Sequence, residues 1–175
     1  MNVKFKIATV RAGNIIGGGD FSNFRLLPDI IRSVKDKKIL NIRSPNATRP
    51  WQHVLEAIRG YIILTEKLFL NKNFQGPWNF GPSSKNSLNV KNIFKIFQKR
   101  IKKKIKVRFK KTQFYESKAL ELDSSKAKKY LNWKPLLSQT QAINLTADWY
   151  SDYLEKKEIY KITNFQIKKY FNFPT

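Results

Sequence analysis

The sequence contains no cysteine and only one histidine, His53, among its 175 residues. Without cysteine there is neither a disulfide framework nor a thiolate-bound metal, and one histidine excludes a histidine cluster around a metal. The lack of cysteine fits a reducing compartment, and the N-terminus shows no cleavable apolar segment. The sequence therefore predicts a cytoplasmic protein with no metal site.

Long apolar runs are also lacking. The most apolar run, Tyr61 to Leu64, is broken by Thr65-Glu66-Lys67, far short of the about 20 residues that a membrane-spanning helix needs. A hydrophobic content of 41%, with 14% aromatic residues, is nevertheless enough for a packed core. We therefore expect one folded domain, or one large part of a bigger protein, that does not bind membranes.

Acidic residues are scarce: 12 of them face 35 basic residues, which gives a net charge of +23. Such a balance is typical of proteins that bind nucleic acid, anionic membranes or acidic small ligands. Lysine, asparagine, isoleucine and phenylalanine are all abundant, and a generally biased composition also produces this charge. Because no recognised nucleic-acid-binding module is present, nucleic acid is an unlikely partner.

Strands and helices alternate along most of the sequence. Alternating apolar residues predict strands at 5–11, 38–43, 78–80 and 104–110. Helical spacing predicts helices that start at Pro28, run over 54–69, follow a cap at Ser87, and lie at 124–131, 138–154 and about 158–171. This order predicts an α/β sheet, with extra helices at the C-terminal end that cover a ligand cleft.

A glycine-rich turn, AGNIIGGGD at 12–20, follows the first strand. Ligands of open α/β sheets bind beyond the carboxyl ends of the strands, and glycines let the backbone approach a ligand closely. The amide of Asn14 both donates and accepts hydrogen bonds. The turn is not a dinucleotide-binding fingerprint, because its glycines lack the required spacing and do not open a helix. An ordinary glycine-rich turn is the alternative.

Five segments carry a resemblance to a known family. They are ATVRAGNIIGGGD (8–20), RLLPDIIRSV (25–34), PNATRPWQHVLEAIRGYIILTEKL (45–68), WNFGPS (78–83) and ELDSSKAKKYLNWKP (121–135). In this order and spacing they resemble the CDP-glucose 4,6-dehydratases, which are extended short-chain dehydrogenases/reductases; TRPWQHVLE is the most specific segment. The resemblance reaches about Tyr170 and corresponds to the C-terminal half of a family protein only.

The resemblance implies the C-terminal portion of an extended short-chain dehydrogenase/reductase, a Rossmann-like fold, with its smaller substrate-binding subdomain. Residues 1–175 would form the substrate-binding part, and the N-terminal NAD-binding half would be absent. In the wider group of nucleotide-sugar dehydratases and epimerases, the residues matching Asn14 and Arg49 contact the substrate diphosphate. A guanidinium suits that role, because it offers phosphate oxygens a rigid fork of donors.

Five further substrate-binding residues follow from the same resemblance. Arg25 and Leu26 correspond to the segment that closes over the diphosphate and ribose. Ile42 and Arg43 match positions where the group packs the base. Asn79, in WNFGP, matches another residue that lines the nucleotide site.

The family reaction, as the resemblance implies, converts CDP-glucose to CDP-4-dehydro-6-deoxyglucose with NAD as cofactor. This lyase chemistry needs a tyrosine activated by a lysine, a carboxylate base and an acid. In the family these residues precede the strand that opens this sequence. No catalytic residue is therefore assigned here, the cofactor-binding residues are unknown, and we expect the isolated chain to be weakly active or inactive.

Three other features invite a functional role that the sequence does not favour. His53 begins the helix at 54–69, where a structural hydrogen bond is a better interpretation than catalysis. Trp51 and Trp78 are interpreted as packing residues beside the cleft. A YxxxK string at 153–157 is interpreted as a coincidence, because it lies on the wrong side of the substrate motifs.

One segment departs from the family pattern, and alternatives to the family function stay open. Where the resemblance predicts a segment like HEAHY, the sequence has Tyr115-Glu116-Ser117-Lys118-Ala119, with Ala119 in place of the aromatic residue. The alternatives are a basic nucleic-acid-binding module, a fragment of another nucleotide-sugar dehydratase or epimerase, and a fragment with no independent function. An open strand edge in such a fragment favours a homo-oligomer, or the missing N-terminal half, as partner.

Overall fold

The computed structural model describes residues 5–82, 87–110 and 119–172. Its strands are Ala8–Ala12 (β1), Asn14–Ile16 (β2), Leu40–Arg43 (β3), Trp51–His53 (β4), Gly76–Phe80 (β5) and Val107–Lys110 (β6). Its helices are Leu26–Lys35 (α1), Val54–Leu70 (α2), Val90–Ile101 (α3), Ser125–Leu131 (α4), Gln139–Leu154 (α5) and Ile159–Phe171 (α6). The predicted α/β class is confirmed. None of the helices in the described ranges combines the length and the apolar character that crossing a membrane requires.

The structure corrects several predicted boundaries. Helix α1 begins two residues before Pro28, and Pro28 is tolerated in the first turn because the N–H that it lacks would have no helical partner there. The cap of α3 is Asn89 rather than Ser87, since the Asn89 side chain accepts a hydrogen bond of 2.8 Å from the Asn92 N–H. The sequence missed β2 and β4, which are only three residues long.

Every strand pair among the described residues is parallel: β1 with β5, β2 with β4, and β3 with β6. The chain changes partner at Gly13, whose N–H donates to Phe80 O at 3.2 Å, whereas the next N–H, of Asn14, donates to Pro50 O at 2.8 Å. A Cβ atom at Gly13 would lie 2.1 Å from Pro50 O. Glycine therefore allows β1 and β2 to follow each other directly, on different partners.

Two main clusters of buried side chains hold these elements together. The larger one joins α1, α3 and α5 and includes Ile30, Phe97, Ile143 and Tyr150. The second packs β5 against α2 and α4, and in it the rings of Phe80 and Trp133 meet edge to face at 5.1 Å between centroids. The first cluster supports the glycine-rich turn from one side, because Trp149 of α5 lies against Gly18.

A buried carboxylate fastens α2 to the segment that leads into α5. The Glu56 side chain is 1% exposed, and its Oε1 accepts hydrogen bonds from the N–H groups of Leu136 and Leu137 at 2.8 and 2.7 Å. Arg59 supplies the opposite charge, with its Nη2 atom 3.4 Å from Glu56 Oε2. Burying a carboxylate is costly unless it is paired and hydrogen-bonded, and here both conditions are met.

Candidate ligand-binding site

A cavity of about 790 Å³ lies between β2, β3 and the start of α1. This volume is in the range of small-molecule sites in proteins, about 300–1,000 Å³. Six of the seven substrate-binding residues predicted from the sequence line this cavity. They are Asn14, Arg25, Leu26, Ile42, Arg43 and Arg49.

The pairing of β2 with β4 brings Asn14 and Arg49 to the same cavity. Asn14 opens β2 and lies opposite Trp51 of β4. Arg49 stands two residues before Trp51, in a tight turn in which the Trp51 N–H donates to Arg49 O at 2.9 Å. The Arg49 side chain is half-buried and its Nη1 donates to Thr48 O at 2.7 Å. Two segments far apart in the sequence thus converge on one wall.

Asp20 opposes the positive charge of the cavity lining. Its carboxylate lies 3.2 Å from Arg25 Nη1 and accepts a hydrogen bond of 2.9 Å from the Ser22 N–H. Burial raises the pKa of Asp20, but the Ser22 hydrogen bonds and the charge of Arg25 outweigh burial and lower it. Asp20 is therefore ionised at neutral pH and holds Arg25 at the cavity rim. Arg43 is exposed at the end of β3 and forms no ion pair within the described residues.

Asn79 is separate from this group. It lies in β5, and its Nδ2 donates to Asp123 O at 3.0 Å, which connects β5 to the segment that precedes α4. It does not line the cavity that the other six residues share. The predicted contact of Asn79 with a nucleotide stays a prediction that the geometry of this cavity does not support.

Sequence reasoning missed some of the lining residues. Asp20, Phe24 and Asn41 also line the cavity, and Trp51, interpreted as a packing residue beside the cleft, forms part of its wall. Trp51 is 7% exposed, and its Nε1 has no hydrogen-bond partner among the described residues. Asp20 could have been noticed, because it ends the glycine-rich segment that the resemblance selects. Asn41 carries no comparable signal, since a polar residue on a short strand is usually a solvated one.

The glycine-rich turn is filled by the protein's own side chains rather than open to a phosphate. A Cβ atom at Gly18 would lie 2.1 Å from the Trp149 ring, and one at Gly17 would lie 2.8 Å from Val54 Cγ1. The turn also passes into β2 and reaches α1 only at Leu26. A phosphate cradle of the Rossmann type needs exposed N–H groups at the start of a helix. This turn therefore does not fit the phosphates of NAD.

His53 has a structural position. Its Nδ1 accepts a hydrogen bond of 3.3 Å from the Leu55 N–H at the start of α2, and the side chain is 2% exposed. Burial lowers the pKa of His53 to about 4, because the charged imidazolium would lose its hydration. A neutral cap, rather than a proton-transferring group, is what this position provides.

The buried imidazole predicts acid sensitivity. The pKa of His53 in the folded chain, about 4, lies below its ordinary value, so the unfolded chain binds the proton first and stability falls as the pH drops from about 6.5 to about 4. Between pH 7.5 and pH 5 the loss from this group should be about 2 kcal/mol. Urea unfolding at both pH values measures it. His53→Asn, which keeps a capping side chain, should show a smaller loss, and an equal loss in both proteins would contradict the prediction.

The YxxxK string does not form a tyrosine–lysine pair. Helix α5 ends at Leu154, between the two residues. Lys157 Nζ lies 2.6 Å from Asp152 Oδ1 and 3.0 Å from Glu155 Oε2, whereas the Tyr153 hydroxyl accepts a hydrogen bond from Lys35 at 3.3 Å. The interpretation of this string as a coincidence agrees with these contacts.

The departure from the HEAHY pattern lies close to the cavity. Residues 115–118 are outside the described ranges, but Ala119 is bridged to Thr48. Thr48 directly precedes Arg49, so the position at which alanine replaces the aromatic residue adjoins a lining residue. This side of the cavity thus differs in composition from what the resemblance predicts.

Comparison with known proteins supports one relationship in particular. The chain is 32% identical, over 178 aligned residues, to CDP-glucose 4,6-dehydratase from Salmonella typhimurium, and the match covers 97% of this chain and 48% of that protein. The chain resembles a CDP-glucose 4,6-dehydratase. The resemblance proposed from the five sequence segments is thereby confirmed, and the chain spans about half the length of the curated relative that it matches.

Solved structures show the same fold. UDP-glucuronic acid 4-epimerase from Bacillus cereus, in complex with UDP-glucuronic acid and NAD, matches with a TM-score of 0.71 and 21% identity over 85% of this chain and 46% of that one. UDP-glucose 4-epimerase from Thermotoga maritima matches with a TM-score of 0.68 and 18% identity, over 83% and 46% of the two chains. The chain therefore has a Rossmann-like fold of the short-chain dehydrogenase/reductase type, corresponding to a C-terminal portion. No family model matches it.

Proposed function

We propose that this chain is the substrate-binding part of a CDP-glucose 4,6-dehydratase and that its cavity holds CDP-glucose. The observation that carries the proposal is the convergence of three arginines and Asn14 on one cavity of about 790 Å³. A nucleotide sugar has two linked phosphates, which suit arginines, and flat or apolar groups at both ends, which suit a mixed lining. The relationship to the Salmonella enzyme supports this choice among phosphate-bearing ligands.

In this proposal, Asn14 and Arg49 bind the diphosphate. The Asn14 side chain donates through its amide, and Arg49 is already directed by its hydrogen bond to Thr48 O. Arg25 is exchanged between two partners: in the free chain it is paired with Asp20, and a phosphate would compete with that carboxylate. Closing over the ligand is therefore the role proposed for Arg25 and Leu26.

The base would lie toward β3. Ile42 is 3% exposed and offers an apolar surface, and Arg43 offers a charged fork at the end of the same strand. Guanidinium groups stack on flat rings as well as pairing with anions. Asn79 acts indirectly in this proposal, since its bond to Asp123 O holds the segment before α4 against β5.

When bound, NAD would accept a hydride from the sugar and return it during dehydration. The glycine-rich turn of this chain is filled by Trp149 and Val54, so the proposal assigns NAD binding to the part of the relative that this chain does not match. The residues described here bind and orient the nucleotide sugar. We expect no turnover of CDP-glucose by the isolated chain with added NAD.

Calorimetric titration of the purified chain with CDP-glucose tests the proposal. We expect saturable binding and a higher melting temperature, because a ligand that binds only the folded state stabilises it. UDP-glucose and a DNA duplex, each at two salt concentrations, are the comparisons. Stronger binding of UDP-glucose would favour another nucleotide-sugar enzyme. Binding of DNA alone, with a steep decrease at higher salt, would favour the basic nucleic-acid-binding module instead.

A further inference from the structure

The edge of β1 that faces away from β5 carries unused main-chain groups. In a parallel pair, the N–H and C=O of one residue point to the same neighbour, and successive residues point to alternate sides. Ile7 O accepts from the Gly76 N–H at 3.0 Å, and the Gly13 N–H donates to Phe80 O at 3.2 Å. Residues 7, 9, 11 and 13 therefore face β5. The peptide groups of Ala8, Val10 and Ala12 point to the other side.

Nothing in the described part of the chain covers that other side. The sheet that contains β1 has β5 as its second and last strand among the described residues. Val10 is 40% exposed, and Ile7 and Phe5, just before β1, are 65% and 78% exposed. Parallel sheets are almost always buried, and an open strand edge with apolar neighbours is a template for a further strand.

We propose that this edge binds a second, parallel α/β unit, which adds a strand next to β1. The occupant is the kind of unit that makes up the rest of the Salmonella relative, because the chain matches 48% of that protein. A second copy of this chain is a poorer occupant. Two copies related by a two-fold axis would pair β1 in antiparallel fashion, whereas every strand pair described here is parallel.

This inference adds a partner to the proposed function and rests on the same relationship, but it does not depend on what the cavity binds. Main-chain hydrogen bonds provide much of the affinity in strand addition. A heterologous partner from the relative is therefore a fair probe. Failure to bind CDP-glucose would leave the partner experiment unaffected, and the reverse also holds.

Co-expression tests the inference. The tagged chain is produced together with the part of the Salmonella enzyme that it does not match, and the two should be recovered in equal amounts. Hydrogen exchange then reports the contact itself. The Val10 N–H should exchange quickly in the chain alone and at least about tenfold more slowly in the complex, whereas the Thr9 N–H, which faces β5, should be protected in both.

Two variants of Val10 separate edge pairing from other contacts. Val10→Pro removes the outward N–H and should reduce recovery of the partner about tenfold or more, whereas Val10→Thr keeps the N–H and should recover it like the original chain. Val10→Lys, which keeps the N–H but charges the edge, should lower recovery if Val10→Pro merely fails to fold. Recovery of no partner, a complex without protection of Val10, or a homodimer as the only assembly would overturn the inference.

Discussion

Replacing Glu56 with alanine is expected to lower the free energy of unfolding by about 3–5 kcal/mol. The change leaves the N–H groups of Leu136 and Leu137 without their shared acceptor, Glu56 Oε1, and it removes the carboxylate that balances Arg59. Water cannot replace the lost partner, because the site is closed. Two costs therefore combine: unsatisfied main-chain donors and an uncompensated charge.

Urea unfolding of the two proteins at neutral pH measures this difference. Glu56→Gln is the matched control, because its amide oxygen can still accept from both main-chain N–H groups. It loses only the charge, and we expect a loss of about 1–2 kcal/mol. If the alanine and glutamine variants were equally stable, the hydrogen bonds to the 136–137 segment would not be what holds α2 to α5.

Replacing Arg49 with alanine is expected to weaken CDP-glucose binding about 10- to 100-fold. The estimate corresponds to a charge-assisted hydrogen bond to phosphate, worth about 1.5–3 kcal/mol. Lysine at this position keeps the charge but not the two-pronged donor geometry, so Arg49→Lys should fall between the alanine variant and the original chain. Calorimetric titration gives the affinities, and a thermal melt of each variant establishes that it folds.

Arg108→Ala provides the matched control for charge. Arg108 is an exposed arginine of β6, which pairs with β3 but does not line the cavity. Its replacement lowers the net charge by the same amount and should leave the affinity unchanged. If the two alanine variants lost affinity equally, the general positive charge of the chain, rather than a specific contact of Arg49, would be responsible for binding.

The long helices were predictable because their apolar residues recur at helical spacing over many turns. Helix α2, predicted over 54–69, is observed over Val54–Leu70. The short strands β2 and β4 were not predictable, since three residues cannot display a period. Their parallel pairing depends on Gly13, which connects β1 to β2 without a loop. That arrangement is visible only once the partner strands are known.

The site residues came from the resemblance rather than from local pattern. Sequence spacing alone gives no reason for Arg49, Arg43 and Asn14 to meet, because the contacts that bring them together run between distant strands. Asn79 was placed with them by its motif, but its side chain is engaged by Asp123 O instead. Motif position thus selected the right neighbourhood in six cases, and local hydrogen bonding decided the seventh.

The strand pairs join residues that are far apart in the chain: Ala8 pairs with Gly76, and Leu40 with Val107. Contacts of such long sequence separation form late and slow folding, because the intervening chain must be ordered before they are gained. During synthesis, β1 therefore waits until Gly76 has left the ribosome. Over that interval both of its edges are open, which makes this first strand the segment most exposed to misassembly.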